Sequence, residues 1–214
     1  MIDKLHYISQ QPKNGTHLSA IRAALDAGCK WIQLRVKDQP KDIILQHAVE
    51  AIKLCDKYGA RLIVNDHPEI ALKAGAHGLH VGLQDMPIQQ ARQVVGTNLI
   101  IGGTANTFEH VQQRAAEGAD YIGLGPYRFT TTKQKLSPIL GIGGYRDIMH
   151  KMRLARIKTP VIAIGGITLA DVPLIMQTGV YGVALSGAIS YAADAGQVVT
   201  EIYDQLNQPS FNEA

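Results

Sequence analysis

Residues 31–38, WIQLRVKD, alternate: Ile32, Leu34 and Val36 share one parity, and Gln33, Arg35 and Lys37 share the other. That period-two pattern is a strand. A second pattern, in which a helical tail is followed by a glycine, a short spacer and an apolar strand, recurs in LDAGCKWIQL, CDKYGARLIV, LKAGAHGLHV, AAEGADYIGL and MQTGVYGVAL. Glycine just past a helix supplies the left-handed conformation that ends it. Upstream, Leu18, Ile21 and Leu25 form a helical stripe, as do Leu45, Ala48, Val49 and Ile52, and Phe108, Val111 and Ala115. Eight strands are expected, at about 4–9, 31–36, 61–65, 78–82, 99–103, 121–125, 160–165 and 182–187. Strict β–α alternation implies a parallel sheet, and eight repeats in this length favour an α/β fold of the closed (β/α)8 TIM barrel type. An open doubly wound sheet is the alternative. One domain is expected over residues 1–205, with 206–214 a flexible polar tail containing Pro209.

In a closed barrel both faces of a strand are covered. Ile32, Leu34 and Val36 then pack against helices, while Gln33, Arg35 and Lys37 line the interior toward the C-terminal mouth, where barrel enzymes place their chemistry. Buried cations there ask for an anion.

Composition narrows the partners. The 21 basic and 18 acidic residues are dispersed, giving a net charge of +3, and no basic run makes a nucleic-acid or membrane footprint. Hydrophobic residues make up 46% of the 214, ample for a core. Cys29 and Cys55 read as reduced core thiols. The N-terminus lacks a signal-peptide pattern and no stretch of about 18 apolar residues occurs, so a cytoplasmic protein is expected. The sequence is silent on oligomeric state and allows a homo-oligomer.

The ends of the other strands are polar too. Asn65 and Asp66 follow RLIV, Gln84 and Asp85 follow GLHVG, and Thr104 and Asn106 follow LIIGG. Asp66 and Asp85 each precede a helix with proline near its start, so either can be an N-cap. Two carboxylates on successive loops opposite Arg35 and Lys37 equally suit Mg2+, which takes one or two carboxylates and completes its shell with phosphate and water. His80, in mid-strand, reads as a satisfied core residue. Thr130, Thr131, Thr132 and Lys133 put three hydroxyls and an ammonium on one loop. Gly165 and Gly166 after strand seven, and Ser186 and Gly187 after strand eight, either permit tight turns or present backbone amides to phosphate. GIGGY at 141–145 reads as the start of a helix. Two phosphate sites imply two small phosphorylated substrates.

QLRVK, VNDHPEIALKAGAHGLHVGLQD, IIGGT, GADYIGLGP, TTTK and VIAIGGI occur in an order and spacing that resembles the thiamine-phosphate synthase family from about residue 4 to about 190. The resemblance implies a Mg2+-dependent transferase of thiamine biosynthesis that joins hydroxymethylpyrimidine diphosphate to hydroxyethylthiazole phosphate, giving thiamine phosphate and pyrophosphate. It assigns the pyrimidine diphosphate to the segment Gln33, Leu34, Arg35, Val36, Lys37 and to Asn65, His80, Thr104 and Lys133, with Arg35, Lys37 and Lys133 catalytic. Asp66 and Asp85 would hold the metal. Thr130, Thr131, Thr132, Gly166, Ser186 and Gly187 would receive the thiazole phosphate. Thr104 stands where serine is usual and keeps the hydroxyl; Gly187 also replaces a frequent serine and keeps only the amide.

Three rival readings stay open at this stage. A thiazole tautomerase of the same superfamily would not need a diphosphate and metal pocket. A sugar-phosphate epimerase or isomerase would use Asp66 and Asp85 as an acid/base pair. A non-catalytic sensor of a thiamine precursor would bind without releasing pyrophosphate.

Overall fold

The structure, a computed structural model, describes residues 1–129 and 138–208. Eight parallel strands close into a barrel in chain order: β1 (Leu5–Ile8), β2 (Trp31–Leu34), β3 (Arg61–Asn65), β4 (Gly78–Val81), β5 (Ile100–Ala105), β6 (Tyr121–Leu124), β7 (Val161–Ala163) and β8 (Gly182–Leu185). The seam is β8 against β1, with Leu5 opposite Val183 and Tyr7 opposite Leu185. This is the closed (β/α)8 barrel expected, and the open sheet is excluded.

Between the strands lie α1 (His17–Asp26), α2 (Lys41–Lys57), α3 (Pro68–Ala74), α4 (Ile88–Val95), α5 (Phe108–Ala116), α6 (Gly141–Leu154) and α7 (Val172–Met176), with α8 (Gly187–Ser190) and α9 (Ala195–Asn207) after β8. The five glycines of the repeated unit, at 28, 59, 75, 118 and 179, all have positive φ, from 59° to 105°. A side chain is disfavoured there, so the helix ends where the glycine falls. GIGGY opens α6 as expected.

Two details differ from expectation. In α2 the buried residues are Ile44, Ala48, Ala51, Leu54 and Cys55, while Leu45 and Ile52 are only partly covered. A helix in a ring touches its neighbours on both flanks as well as the sheet, so its apolar stripe is wider than its buried one. At the C-terminus, α9 runs to Asn207 with Leu206 buried, past residue 205; residues 209–214 of the expected tail lie outside the described residues.

The core has two layers. Alternate strand residues such as Ile32, Leu34, Leu62, Val64 and Ile122 pack outward against the helices, together with the thiols Cys29 and Cys55. Burial pushes both thiols up to about 12, so they stay protonated. The opposite parity fills the lumen with Trp31, Ile63, Tyr121, Ile162 and Ala184. These bulky groups plug the barrel below the level of Gln33 and Asn65, which follow them on β2 and β3. Among the described residues no helix is long and apolar enough to cross a membrane.

Closure leaves no room at the seam. A Cβ at Gly182 would lie 2.1 Å from the Lys4 carbonyl oxygen, the same oxygen that accepts the Val183 N–H at 2.8 Å. Gly182→Ala should therefore lower stability by about 1–3 kcal/mol, read as a lower urea midpoint at unchanged slope.

Candidate active site

The cations come first. Gln33 is 5% exposed, and its amide donates to Asn65 Oδ1 at 2.6 Å. One residue beyond the end of β2, the Arg35 backbone N–H donates to Ser9 Oγ at 3.0 Å. Ser9 in turn contacts His17 Nδ1 at 3.1 Å. Burial, with the nearby His47 and Arg35 charges, pulls His17 down to about 4, so it is neutral, and its tautomer sets which partner donates in the bond to Ser9. Ser9 and His17 thus brace the backbone from which Arg35 projects inward. Burial also pulls the Arg35 guanidinium below its ordinary value, with Asp66 opposing the shift. Leu34 and Val36 turn their side chains to the helix layer and leave only backbone for a ligand. Lys37 is a correction: β2 ends at Leu34, so Lys37 is exposed at the rim and not in the lumen, although its charge still acts on Asp66.

The carboxylates face these cations. Neither caps a helix, because the N-caps of α3 and α4 are His67 and Pro87. Asp66 instead has φ of 66°, a left-handed backbone that its short polar side chain tolerates, and its N–H donates to the His80 carbonyl at 2.8 Å. Asp85 Oδ2 accepts the Gly82 N–H at 2.7 Å. Asp85 lies close enough to act on the Asp66 carboxyl. Burial and then the neighbouring Asp85 push Asp66 up to about 7, while Lys37 and Arg35 pull the other way. A carboxyl that keeps its proton to near neutral pH beside a second carboxyl marks a place short of positive charge. Hard oxygen donors, with no imidazole or thiolate completing a cluster with them among the described residues, fit Mg2+. Among the described residues no cluster of three or more metal-ligating side chains forms, and Mg2+ does not need one when water and phosphate complete its shell.

Two cavities meet at Arg35. The narrow one, about 70 Å³, sits on the barrel axis between Gln33, Asn65, His80, Thr104 and Tyr121. His80 is satisfied on both ring nitrogens, by Tyr121 Oη and Thr104 Oγ1, each at 3.0 Å. The core reading of this histidine therefore holds, and its ring also lines the narrow cavity. The wide cavity, about 500 Å³, runs under the loops after β6, β7 and β8 and is lined by Phe129, Gly165, Gly166, Ser186 and Gly187. Gly165 and Gly166 have φ of 96° and 71°, and a Cβ would sit 2.7 Å from Pro126 Cα or 2.5 Å from Arg128 Cγ. Their turn can be built only from glycine. Ser186 donates to Gln10 Oε1 at 3.1 Å. Thr130, Thr131, Thr132 and Lys133 lie outside the described residues.

Two arginines escaped the sequence reading. Arg128 forms a two-pronged pair with Asp171, at 2.7 and 2.8 Å, and donates to the Gly166 carbonyl at 3.1 Å, which ties the loop after β6 to the turn after β7. Arg114 is 2% exposed on α5. It donates to the carbonyls of Thr104 and Gly82, at 3.2 and 2.9 Å, and pairs with Glu117 at 2.7 Å. One guanidinium so fixes both the end of β5 and the loop carrying Asp85. The available signal was its place three residues after Val111, on the apolar stripe of α5.

A closed parallel barrel whose mouth sets an arginine and a carboxyl pair on one side, and glycine-rich turns on the other, belongs to the phosphate-handling (β/α)8 enzymes. Residues 5–189 match the sequence model of the thiamine monophosphate synthase family. The chain is 52% identical over 190 residues to a thiamine-phosphate synthase of Bacteroides fragilis, covering 89% of this chain and 93% of that one. It is 48% identical over 206 residues to a thiamine-phosphate synthase of Flavobacterium psychrophilum, covering 96% and 100%. A solved thiamine phosphate pyrophosphorylase from Pyrococcus furiosus superposes with a TM-score of 0.81 at 30% identity, over 95% of each chain. The chain belongs to the thiamine monophosphate synthase family, a family of transferases in thiamine biosynthesis.

Because folded Asp66 holds its proton to about pH 7 and an unfolded aspartate releases it near 4, its burial costs stability increasingly as pH rises through that window. In divalent-free buffer Asp66→Asn, which tolerates the left-handed backbone, should therefore exceed the parent in stability at pH 8 by roughly 1–2 kcal/mol after solvent screening. The advantage should vanish by pH 4, as followed by urea unfolding. Arg114→Met should cost about 3–5 kcal/mol in the same assay, since it takes the buried cation from Glu117 and a donor from two carbonyls.

Proposed function

We propose that this chain joins hydroxymethylpyrimidine diphosphate to hydroxyethylthiazole phosphate, releasing pyrophosphate and forming thiamine phosphate, with Mg2+ held by Asp66 and Asp85. The observation that carries the reading is the position of Arg35. Its side chain lines both the narrow axial cavity and the wide cavity under the β6–β8 loops, so a diphosphate in one and a phosphorylated acceptor in the other meet at one cation.

The pyrimidine takes the narrow cavity, with the amides of Gln33 and Asn65, the ring of His80 and the hydroxyl of Thr104 around it. Its diphosphate points to Arg35 and outward to Lys37. The thiazole phosphate lies on the backbone of Gly165, Gly166, Ser186 and Gly187, and the family likeness adds Thr130, Thr131, Thr132 and Lys133 to these anion contacts.

No side-chain nucleophile is needed, because the thiazole ring nitrogen attacks with its own lone pair. The methylene carbon–oxygen bond breaks, its electrons leave on the diphosphate, and a carbon–nitrogen bond forms. Arg35, Lys37 and Lys133 stabilise the negative charge that develops on the leaving group. Bound Mg2+ would add Lewis-acid stabilisation of the same charge. The two cavities contribute by holding the reacting atoms in line. The same reading gives a cytoplasmic enzyme whose partners are two small phosphorylated molecules, with neither nucleic acid nor a membrane involved.

Purified protein supplied with both substrates should release pyrophosphate and thiamine phosphate together, and only when Mg2+ is present. Arg35→Ala and Asp66→Ala should each reduce turnover by ~10² or more, the effect of losing ~3 kcal/mol of transition-state stabilisation. Full turnover in both variants, or in EDTA, would remove the basis of these roles. Binding without pyrophosphate release would instead favour a sensor.

A further inference from the structure

His80 stands between two hydroxyls inside the barrel, and the direction of that hydrogen-bond chain is set from below. Tyr121 opens β6 and is 1% exposed in the lumen. Its ring occupies space left by Gly102, its register partner on β5, where a Cβ would come within 2.1 Å of the phenol carbons. His6 and Trp31 wall the ring edge-on, with centroids at 5.1 and 5.7 Å. Above it, Gly123 leaves room for the imidazole, because a Cβ there would lie 3.0 Å from His80 Cε1. The geometry of the whole stack is thus fixed by packing.

Among the described residues, the one acceptor within reach of the phenolic O–H is His80 Nδ1, at 3.0 Å. The Trp31 indole beside it carries an N–H, which can donate but never accept. Burial raises the phenol well above its ordinary value, so the proton stays on oxygen. Tyr121 must then donate to Nδ1, or bury its O–H with no acceptor. A bare Nδ1 requires the imidazole proton to be on Nε2. Nε2–H donates to Thr104 Oγ1 at 3.0 Å, and the hydrogen of Thr104 itself is left over. Thr104 faces the narrow cavity.

We propose that Tyr121 is a positioning residue that holds His80 as its Nε2–H tautomer and thereby commits the Thr104 hydroxyl to donate a hydrogen bond to an acceptor atom of the pyrimidine diphosphate. The second half rests on the placement of that substrate given above. Although Tyr121 also borders the narrow cavity, its hydroxyl is turned to His80 and acts on the substrate's acceptor atom through two intermediaries. Reversing the chain would leave Thr104 as an acceptor only, and a diphosphate oxygen or an unprotonated ring nitrogen would meet a lone pair.

The experiment has a substrate-free arm and a kinetic arm. With 15N-labelled histidine, and His80→Gln used to identify the resonances, His80 in the parent should show an unprotonated Nδ1 and a protonated Nε2. Tyr121→Phe, which keeps the ring in its slot, should shift His80 toward a mixture of tautomers. Thr104→Val should raise KM for the pyrimidine diphosphate about tenfold, the size of one hydrogen bond, and Thr104→Ser should restore it. Tyr121→Phe should raise the same KM, and adding it to Thr104→Val should cost no more, because both changes remove one donor. A parent His80 protonated on Nδ1 overturns the proposal and leaves the enzyme's function intact. A parental KM in Thr104→Val overturns the placement of the substrate and the proposal with it, and additive losses in the double variant exclude action through Thr104.

Discussion

A parallel strand enclosed on both faces has one outlet for a polar side chain, the lumen near its C-terminal end. Everything distinctive here follows from that constraint. The β8–β1 seam closes the sheet, the outer parity is spent on helix packing, and Trp31, Ile63, Tyr121 and Ile162 plug the lower lumen. Polar groups after that plug converge on one small volume. Gln33, Arg35, Asn65, His80 and Thr104 come from four different strands or strand ends and yet line a single cavity.

The charges at the mouth are arranged around what they lack. Arg35 is partly desolvated beside Asp66, and Asp66 and Asp85 are close enough that one of them is disfavoured as an anion. Burial disfavours the charged form of both Arg35 and Asp66, and in the proposed reading a diphosphate with a divalent cation would offset that cost. In the proposed reading these groups serve transition-state electrostatics rather than the stability of the free protein. Supporting residues keep it from collapsing. Ser9 and His17 hold the Arg35 backbone, Arg114 holds the Gly82 and Thr104 carbonyls, and Arg128 holds the Gly166 turn.

Much of this was legible in the chain before folding. Glycines after helices announced the αβ boundaries, because only glycine takes the left-handed geometry cheaply, and all eight strands fall where alternation placed them, within one or two residues at most ends. The inward parity of Gln33 and Arg35 was legible as well. Less so was the termination of β2: strand pairing stops at Leu34, and no local pattern marks the point where Lys37 swings to the rim. The wider apolar stripe of α2 likewise could not reveal which of its residues meet the sheet and which meet α1 and α3.

The sequence by itself determined the repeat, the layer each strand residue faces and the chemical types at the mouth, because those depend on period and on local backbone preference. Only the tertiary structure decided that Asp66 and Asp85 come together at the mouth instead of capping helices. It likewise made Arg114 an internal strut and joined Tyr121, His80 and Thr104 into one chain of hydrogen bonds. Those are relations between residues distant in sequence, and their energies arise from desolvation and from distances that exist only once the barrel has closed.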